Sequence, residues 1–270
     1  MFDMHVHTCY SDGLYSPVKV IDLAVKRGLS GIAITDHDTV EGIEEAVLYS
    51  LNFNNFTVIP GIEFSSIYND EEVHILGYYI DYKNSDIIYL TNILRKSRYD
   101  RTVKIIDKIN QLGMNITFEE VKELSGNDNL GRPHIARALI KKGYVSNIQE
   151  AFNRYLNRGK AAYVERYQIT IEESIELIKK SGGVSVLAHP GLLRNKGIIN
   201  YCIEKGIDGI EAIHSKHSDT EKNIYKKIAH NNNLPITGGS DCHGEIINGD
   251  LLLGKYYIGL EELGKIKERI

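Results

Sequence analysis

Six of the ten histidines in this chain fall in short polar clusters whose spacing suits metal ligation. His5 and His7 are separated by one residue. On a strand that spacing puts both rings on one face and turns Val6 to the other. Asp12 follows in the next loop. Asp36-His37, Glu63, His189 and Asp241-Cys242-His243 each stand at the C-terminal end of an apolar run of strand length. Imidazole nitrogen combined with carboxylate oxygen is a donor set for divalent transition metals. One His-x-His pair could be incidental, but repetition at one strand end after another points to a single site holding several ions.

The elements needed to position these groups alternate. Phe2–Val6 reads as a short buried strand, and Ser16-Pro17 as an N-cap with proline at the first helical position of a helix ending near Gly28. Gly31–Thr35 is a second strand, a helix opens near Glu41, and Thr57–Ile62 is a third strand running into Glu63. This order implies right-handed crossovers and a mainly parallel sheet or barrel, whose C-terminal rim is where the polar clusters would meet. Asn69-Asp70 reads as a two-residue hairpin turn. It would place His74 opposite Ser65, on the same face as Glu63.

From residue 84 to 164 the alternation gives way to helical patterns: Asp86–Leu112, a capping box Thr117–Glu120, Arg132–Lys142 and Gln149–Leu156. A stretch of that length suggests a helical cap (84–164) inserted between two barrel segments (1–83 and 165–270). Alternation resumes with a capping box at Thr170–Glu173, strands Gly183–Ala188 and Gly209–Ile213, a helix capped by Ser218 and Glu221, and strand Pro235–Gly239.

Composition narrows the class. The chain has 270 residues, 42% of them hydrophobic, with a net charge of −4, so no global basic surface advertises a large nucleic-acid complex. Its three cysteines form no CxxC pair, and a disulfide framework is not expected; Cys9 and Cys242 read as packing. No run approaches the roughly 20 apolar residues of a membrane span, and no basic stretch followed by an apolar run opens the sequence. A cytoplasmic setting is the expectation.

Asp3-x-His5-x-His7, Thr35-Asp36-His37, Gly61-Ile62-Glu63, His74-Ile-Leu-Gly, Ala188-His189-Pro190 and Gly239-Ser-Asp241-x-His243 together resemble the successive motifs of the PHP (polymerase and histidinol phosphatase) superfamily. The resemblance implies an α/β fold, a distorted (β/α)7 TIM-like barrel with the helical insertion as a cap, and two to three divalent ions such as manganese, iron or zinc. It further implies a first metal on His5, His7, Glu63 and Asp241, a second on Glu63, His74 and His189 with Glu63 bridging, and a third on Asp12, His37 and His243. None of these nine positions is missing. Gly131-Arg132-Pro-His134-Ile-Ala-Arg137 and the pair Arg98 and Arg101 resemble the stand-alone branch containing nucleoside 3′,5′-bisphosphate phosphatases and 5′–3′ exoribonucleases.

Phosphate chemistry agrees with that donor set. Three carboxylates against three divalent ions leave a formal excess of positive charge, which attracts phosphate oxygens and lowers the pKa of water from 15.7 to about 7. The resemblance implies hydrolysis by a metal-bridging hydroxide, on a nucleotide or a short 5′-phosphorylated oligonucleotide. Arg132 is the expected phosphate anchor, and Arg98 and Arg101 would grip a second phosphate. His134, His214 and His217 are candidates to hydrogen-bond phosphate or protonate the leaving oxygen. Asp36 is expected to orient a ligand histidine. Two other readings stand beside this one. An amidohydrolase-like C–N hydrolase would leave Asp12, His37 and His243 without use, and a non-catalytic metal-binding module would not need so complete a ligand set.

Overall fold

The computed structural model describes residues 1–125, 129–247 and 249–270. Seven strands form one sheet in chain order: β1 (Phe2–Val6), β2 (Gly31–Ile34), β3 (Thr57–Tyr68), β4 (Glu71–Tyr78), β5 (Val184–Leu187), β6 (Gly209–His214) and β7 (Ile236–Gly239). Neighbours run parallel except β4, which is antiparallel to both β3 and β5. The reversal follows from Asn69-Asp70, where both residues adopt positive φ (44° and 65°) and return the chain in a two-residue turn. The resulting register pairs Ser65 with His74, as the turn implied.

The sheet curls until its edges nearly meet. The Asp241 N–H donates to the His5 carbonyl at 2.9 Å, and the His7 N–H donates to the Cys242 carbonyl at 3.1 Å. Gly239 permits this approach, since a Cβ there would lie 2.3 Å from that of His5. The fold is therefore a nearly closed seven-stranded α/β barrel of the TIM-like kind. Met4, Ala33, Ile59, Leu76, Tyr78 and Val186 form one apolar cluster of the barrel. Ile32, Ile34, Ile62 and Leu187 pack in another with Val20, Ile21, Ile43 and Ile178 of the flanking helices. Each buried Val, Leu, Ile or Met side chain among these contributes about 1.5–3 kcal/mol.

The helices are α1 (Pro17–Lys26), α2 (Ile43–Ser50), α3 (Ser85–Gln111), α4 (Phe118–Ser125), α5 (Arg132–Lys141), α6 (Ile148–Ala151), α7 (Ile171–Lys180), α8 (Gly197–Glu204), α9 (Asp219–Asn231) and α10 (Leu260–Lys267). Their starts follow the caps in the sequence. Ser16 accepts from the Lys19 N–H, and capping boxes operate at Thr170/Glu173 and Ser218/Glu221. The stretch expected as one helix over Gln149–Leu156 is instead the short α6 followed by a π-helical turn, Phe152–Leu156. α10 and a two-residue ribbon, β8 (Ile246–Ile247) with β9 (Asp250–Leu251), were not expected.

Helices α3 to α6 bury an apolar cluster of their own, including Ile105, Ile109, Ile116, Val121, Ile135 and Leu139. Polar contacts tie this helical region to the barrel rim. Arg137 donates to the Asp12 carbonyl at 2.8 Å, and Asn129 donates to the His37 carbonyl at 2.8 Å. Among the described residues no helix is long and apolar enough to cross a membrane.

Candidate metal centre

All nine residues suggested by the sequence meet at the C-terminal rim, and Glu63 is their hub. Its carboxylate is fully buried, and its two oxygens face different histidines. Oε2 lies 3.2 Å from His5 Nε2, 3.2 Å from His7 Nε2 and 3.0 Å from His37 Nδ1. Oε1 lies 2.8 Å from His74 Nδ1 and 3.0 Å from His189 Nε2. Asp241 Oδ1 completes the first set, 3.4 Å from His5 Nε2 and 3.1 Å from His7 Nε2. Asp12 Oδ1 stands 3.1 Å from His243 Nε2 and 3.9 Å from His7 Nδ1. One atom each from His5, His7, Glu63 and Asp241 lie within 4.8 Å of one another, as do atoms of His7, Asp12, His37 and His243, and of His37, Glu63 and His74. His7 and His37 thus stand between sets rather than belonging to one.

Several of these atoms are buried and unpartnered by hydrogen-bond geometry: His5 Nε2, His7 Nε2, His37 Nδ1, Asp12 Oδ1 and Glu63 Oε2. Burying polar atoms without partners costs about 1–3 kcal/mol each. Lone pairs that converge while lacking donors are what a divalent cation satisfies, so the donor set fits a metal cluster. The charges agree. Burial would raise the Glu63 carboxyl, yet His37, His5 and His74 hold it well below the ordinary carboxylate range. Asp12 is held down by His243 and His37 despite burial, and Asp241 by His5 and His243. Burial pushes His37 down to about 3, whereas His74 and His243 rise to about 10 despite burial because Glu63 and Asp12 face them, so ligation at those two rings would release protons.

Strained backbone marks the rim. Asp38, His189 and Asp241 adopt positive φ of 54°, 25° and 54°, a region that residues with a Cβ enter only when their surroundings fix it. Asp36 does not reach a histidine directly, contrary to expectation. It accepts from the Thr8 N–H at 2.7 Å and from the Thr8 and Ser11 hydroxyls at 2.6 and 2.5 Å. It therefore shapes the loop carrying Asp12, and touches His7 only through Ser11, whose hydroxyl is 3.4 Å from Nδ1.

Beside the histidines lies a node of arginines. Arg98 donates to Asp38 Oδ2 through Nε (3.0 Å) and Nη2 (2.5 Å), and to the Ser65 hydroxyl at 3.1 Å. Arg166 donates to the same oxygen at 3.1 Å. Its side chain is 2% exposed and its Nε is buried without a partner. Arg132 stacks over the Phe152 ring and meets Glu72 at 3.3 Å. Glu72 Oε1 in turn is 3.2 Å from His74 Nε2, so Arg132 stands one carboxylate away from the hub's histidines. Arg101 is turned aside from the role expected of it. Its Nε donates to the Val164 carbonyl at 2.7 Å and its guanidinium lies over Tyr163. A cavity of about 380 Å³ opens against Arg132, Glu72, Tyr163 and Gln168.

The three further candidate histidines differ in what they can offer. His134 Nδ1 accepts the Gly131 N–H at 3.0 Å, so its proton is on Nε2, which is buried and unpartnered. Burial pushes its pKa to about 4, making it a neutral donor rather than an acid. His217 accepts the Gly191 N–H at Nε2 (3.0 Å) and donates from Nδ1 to the Ala212 carbonyl (3.1 Å). With both nitrogens spent on backbone it has no proton for a substrate. His214 accepts the Lys216 N–H at Nδ1 and turns Nε2 toward Asp241 Oδ2 at 3.4 Å, not toward open solvent. Arg166 and Glu211 carried no expectation from the sequence. Glu211 could have been noticed as a lone carboxylate inside an apolar strand, whereas Arg166 sits in an irregular stretch with no periodic signal.

A nearly closed α/β barrel bearing a buried histidine–carboxylate cluster at its C-terminal rim defines the class: a metal-dependent phosphoesterase. The chain belongs to the PHP domain family, whose profile matches residues 3–189. It is 31% identical over 248 residues to a 5′-3′ exoribonuclease of Haemophilus influenzae, covering 90% of this chain and 89% of that protein. It is 29% identical to a 3′,5′-nucleoside bisphosphate phosphatase of Chromobacterium violaceum, covering 89% and 86%. A crystal structure of a candidate metal-dependent phosphoesterase from Bifidobacterium adolescentis superposes with a TM-score of 0.90 at 30% identity, covering 99% of this chain and 96% of that one. The protein is a hydrolase of phosphoric esters and depends on metal.

Proposed function

We propose that this phosphoesterase removes a phosphate from nucleoside 3′,5′-bisphosphates and acts at the 5′ end of short oligonucleotides, using up to three ions of manganese, iron or zinc. The observation that carries the reading is the juxtaposition of Glu63, its oxygens divided between two histidine sets, with the arginine node one residue away at Glu72 and Ser65. A substrate with two phosphates matches a site with two anion-seeking regions. The names of the two relatives point to the same substrate class.

His5, His7, Glu63 and Asp241 would hold one ion, Glu63, His74 and His189 a second, and Asp12, His37 and His243 a third. When bound, the ions supply Lewis acidity toward phosphate oxygens and an acidified water. The chain's own residues do the rest. Arg132 and Arg98 hold the phosphate that is not cleaved, Arg132 exchanging its long contact with Glu72 for a bidentate grip. Arg166 Nε offers a further buried donor. His134 presents Nε2–H as a neutral donor among the charged neighbours Asp12, Arg98 and Arg137. Residues 84–164 act as a cap that brings Arg98, Arg132 and His134 over the barrel rim and limits access to chain ends.

Supply of manganese to metal-stripped protein should restore release of phosphate from 3′-phosphoadenosine 5′-phosphate and of mononucleotides from 5′-phosphorylated RNA a few residues long. Loss of both, with simple phosphomonoesters still cleaved, would remove the nucleotide reading while leaving the enzyme class intact.

A further inference from the structure

β6 carries none of the nine candidate ligands, yet its polar residues are spent on residues that are among them. Glu211 is completely buried. Its Oε1 accepts from His5 Nδ1 at 3.0 Å, and its Oε2 accepts the His189 backbone N–H at 2.8 Å. His5 and His189 lie on opposite oxygens of Glu63, so one carboxylate braces both halves of the hub. The bond to His189 also secures a residue held at φ 25° and ψ 61°. His214, three residues on, stands with Nε2 3.4 Å from Asp241 Oδ2. Strand alternation would send residues 211 and 214 to opposite faces. The slip in register between Glu211 and Ile213 turns both toward the rim.

His5, Glu211 and His214 are also close enough to resemble a further metal site. Their donors argue otherwise. Both Glu211 oxygens already accept hydrogen bonds, His5 Nδ1 is a donor to one of them, and His214 Nε2 faces Asp241, so the trio has no converging lone pairs to offer an ion.

We propose that Glu211 and His214 are positioning residues for the metal cluster, resting on the ligand assignment given above. Glu211 keeps the His5 proton on Nδ1, leaving the Nε2 lone pair aimed at Glu63 and Asp241. It also fixes the backbone from which the His189 ring projects. His214 Nε2–H holds Asp241 Oδ2, leaving Oδ1 for the cation. Partners of this kind typically raise metal affinity by about 10- to 100-fold.

The test titrates metal-free protein with Mn²⁺ by calorimetry, followed by metal analysis after dialysis. Glu211→Gln replaces one acceptor by a donor and should weaken the tightest binding by about 10- to 100-fold. His214→Ala should weaken it too, and His214→Gln, whose amide N–H falls near the position of Nε2, should restore most of the loss. That rescue separates positioning from a general loss of folding, and it stands even if Glu211→Gln folds poorly. Wild-type affinity in both Glu211→Gln and His214→Ala would overturn the inference. Wild-type protein that binds no divalent ion would overturn the ligand assignment itself, and this inference with it.

Discussion

The barrel rim and the arginine node lie side by side, yet their polar atoms are in opposite states. At the rim, Glu63 Oε2, Asp241 Oδ1 and ring nitrogens of His5 and His37 converge at 3.0–3.4 Å without hydrogen-bond geometry, and only Glu63 Oε1 finds partners, in His74 and His189. At the node, Asp38 and Glu72 accept from Arg98, Arg166 and Arg132, and the Asp38 carboxyl is held near 2 by the first two of these despite burial, which raises it. Arg98, Arg101, Arg132 and Arg166 sense one another's charge there against the two carboxylates. The rim is short of cations and the node has them to spare. The doubly phosphorylated substrate proposed above would need both conditions: ions where the ester breaks, and fixed guanidinium groups where the second phosphate rests.

The sharpest way to break that contrast is at its hub. Glu63→Gln leaves one oxygen where two face five histidines. Phosphate release should fall by about 10³-fold or more, corresponding to roughly 4 kcal/mol of transition-state stabilisation. Metal content measured on the same sample should drop as well. A variant with more than a tenth of wild-type activity would overturn the assignment of Glu63 to the metal site. Next comes the node. Arg132→Ala should raise KM for a 3′,5′-bisphosphate by about 10- to 100-fold while kcat for a simple phosphomonoester stays within about threefold. Equal losses on both substrates would place Arg132 with the reacting phosphate instead.

The same contrast decides what could be read before the structure. Rim residues stand at strand ends, where buried apolar runs stop abruptly at a histidine or carboxylate, so His5, His37, His189 and Asp241 pointed to the fold and to where a candidate site would gather. His74 followed from turn chemistry at Asn69-Asp70. The node was visible only through the family resemblance of Arg98, Arg101 and Arg132, and its contacts left no local signal. Arg98 is one cation among several on the 27-residue helix α3, and nothing local says that it reaches Asp38 sixty positions away. Arg101, one turn on, looks equivalent in sequence but spends its Nε on the Val164 carbonyl. Arg166 and the bulge that re-aims His214 depend on tertiary packing, which periodicity does not carry.

Acid should act on the node through Asp38. Its carboxyl titrates near 2 in the fold against 3.8 ordinarily: burial raises it, and Arg98 and Arg166 more than offset that. A depressed carboxylate contributes stability that is present above about pH 4 and lost as pH falls through about 2. The contribution is about 2 kcal/mol. Comparing unfolding of the wild type and Asp38→Asn between pH 6 and pH 3 should show the two stabilities converging as pH falls. A constant gap would mean that the arginines do not sense the Asp38 charge.

The smallest expected effect concerns His217, which lies next to the rim without sharing its state. Its ring joins the Gly191 N–H to the Ala212 carbonyl and lies tilted against the Tyr225 ring, with centroids 4.9 Å apart. Burial lowers its pKa, keeping the ring neutral as that bonding requires. His217→Gln should therefore cost about 1 kcal/mol of stability through lost backbone contacts and change kcat by less than about threefold. A general acid would behave differently: kcat would fall by about 10²-fold or more, and the alkaline limb of the pH–rate profile would disappear. Measuring both quantities on one variant separates a histidine that braces the β6–α9 loop from one that serves the reaction.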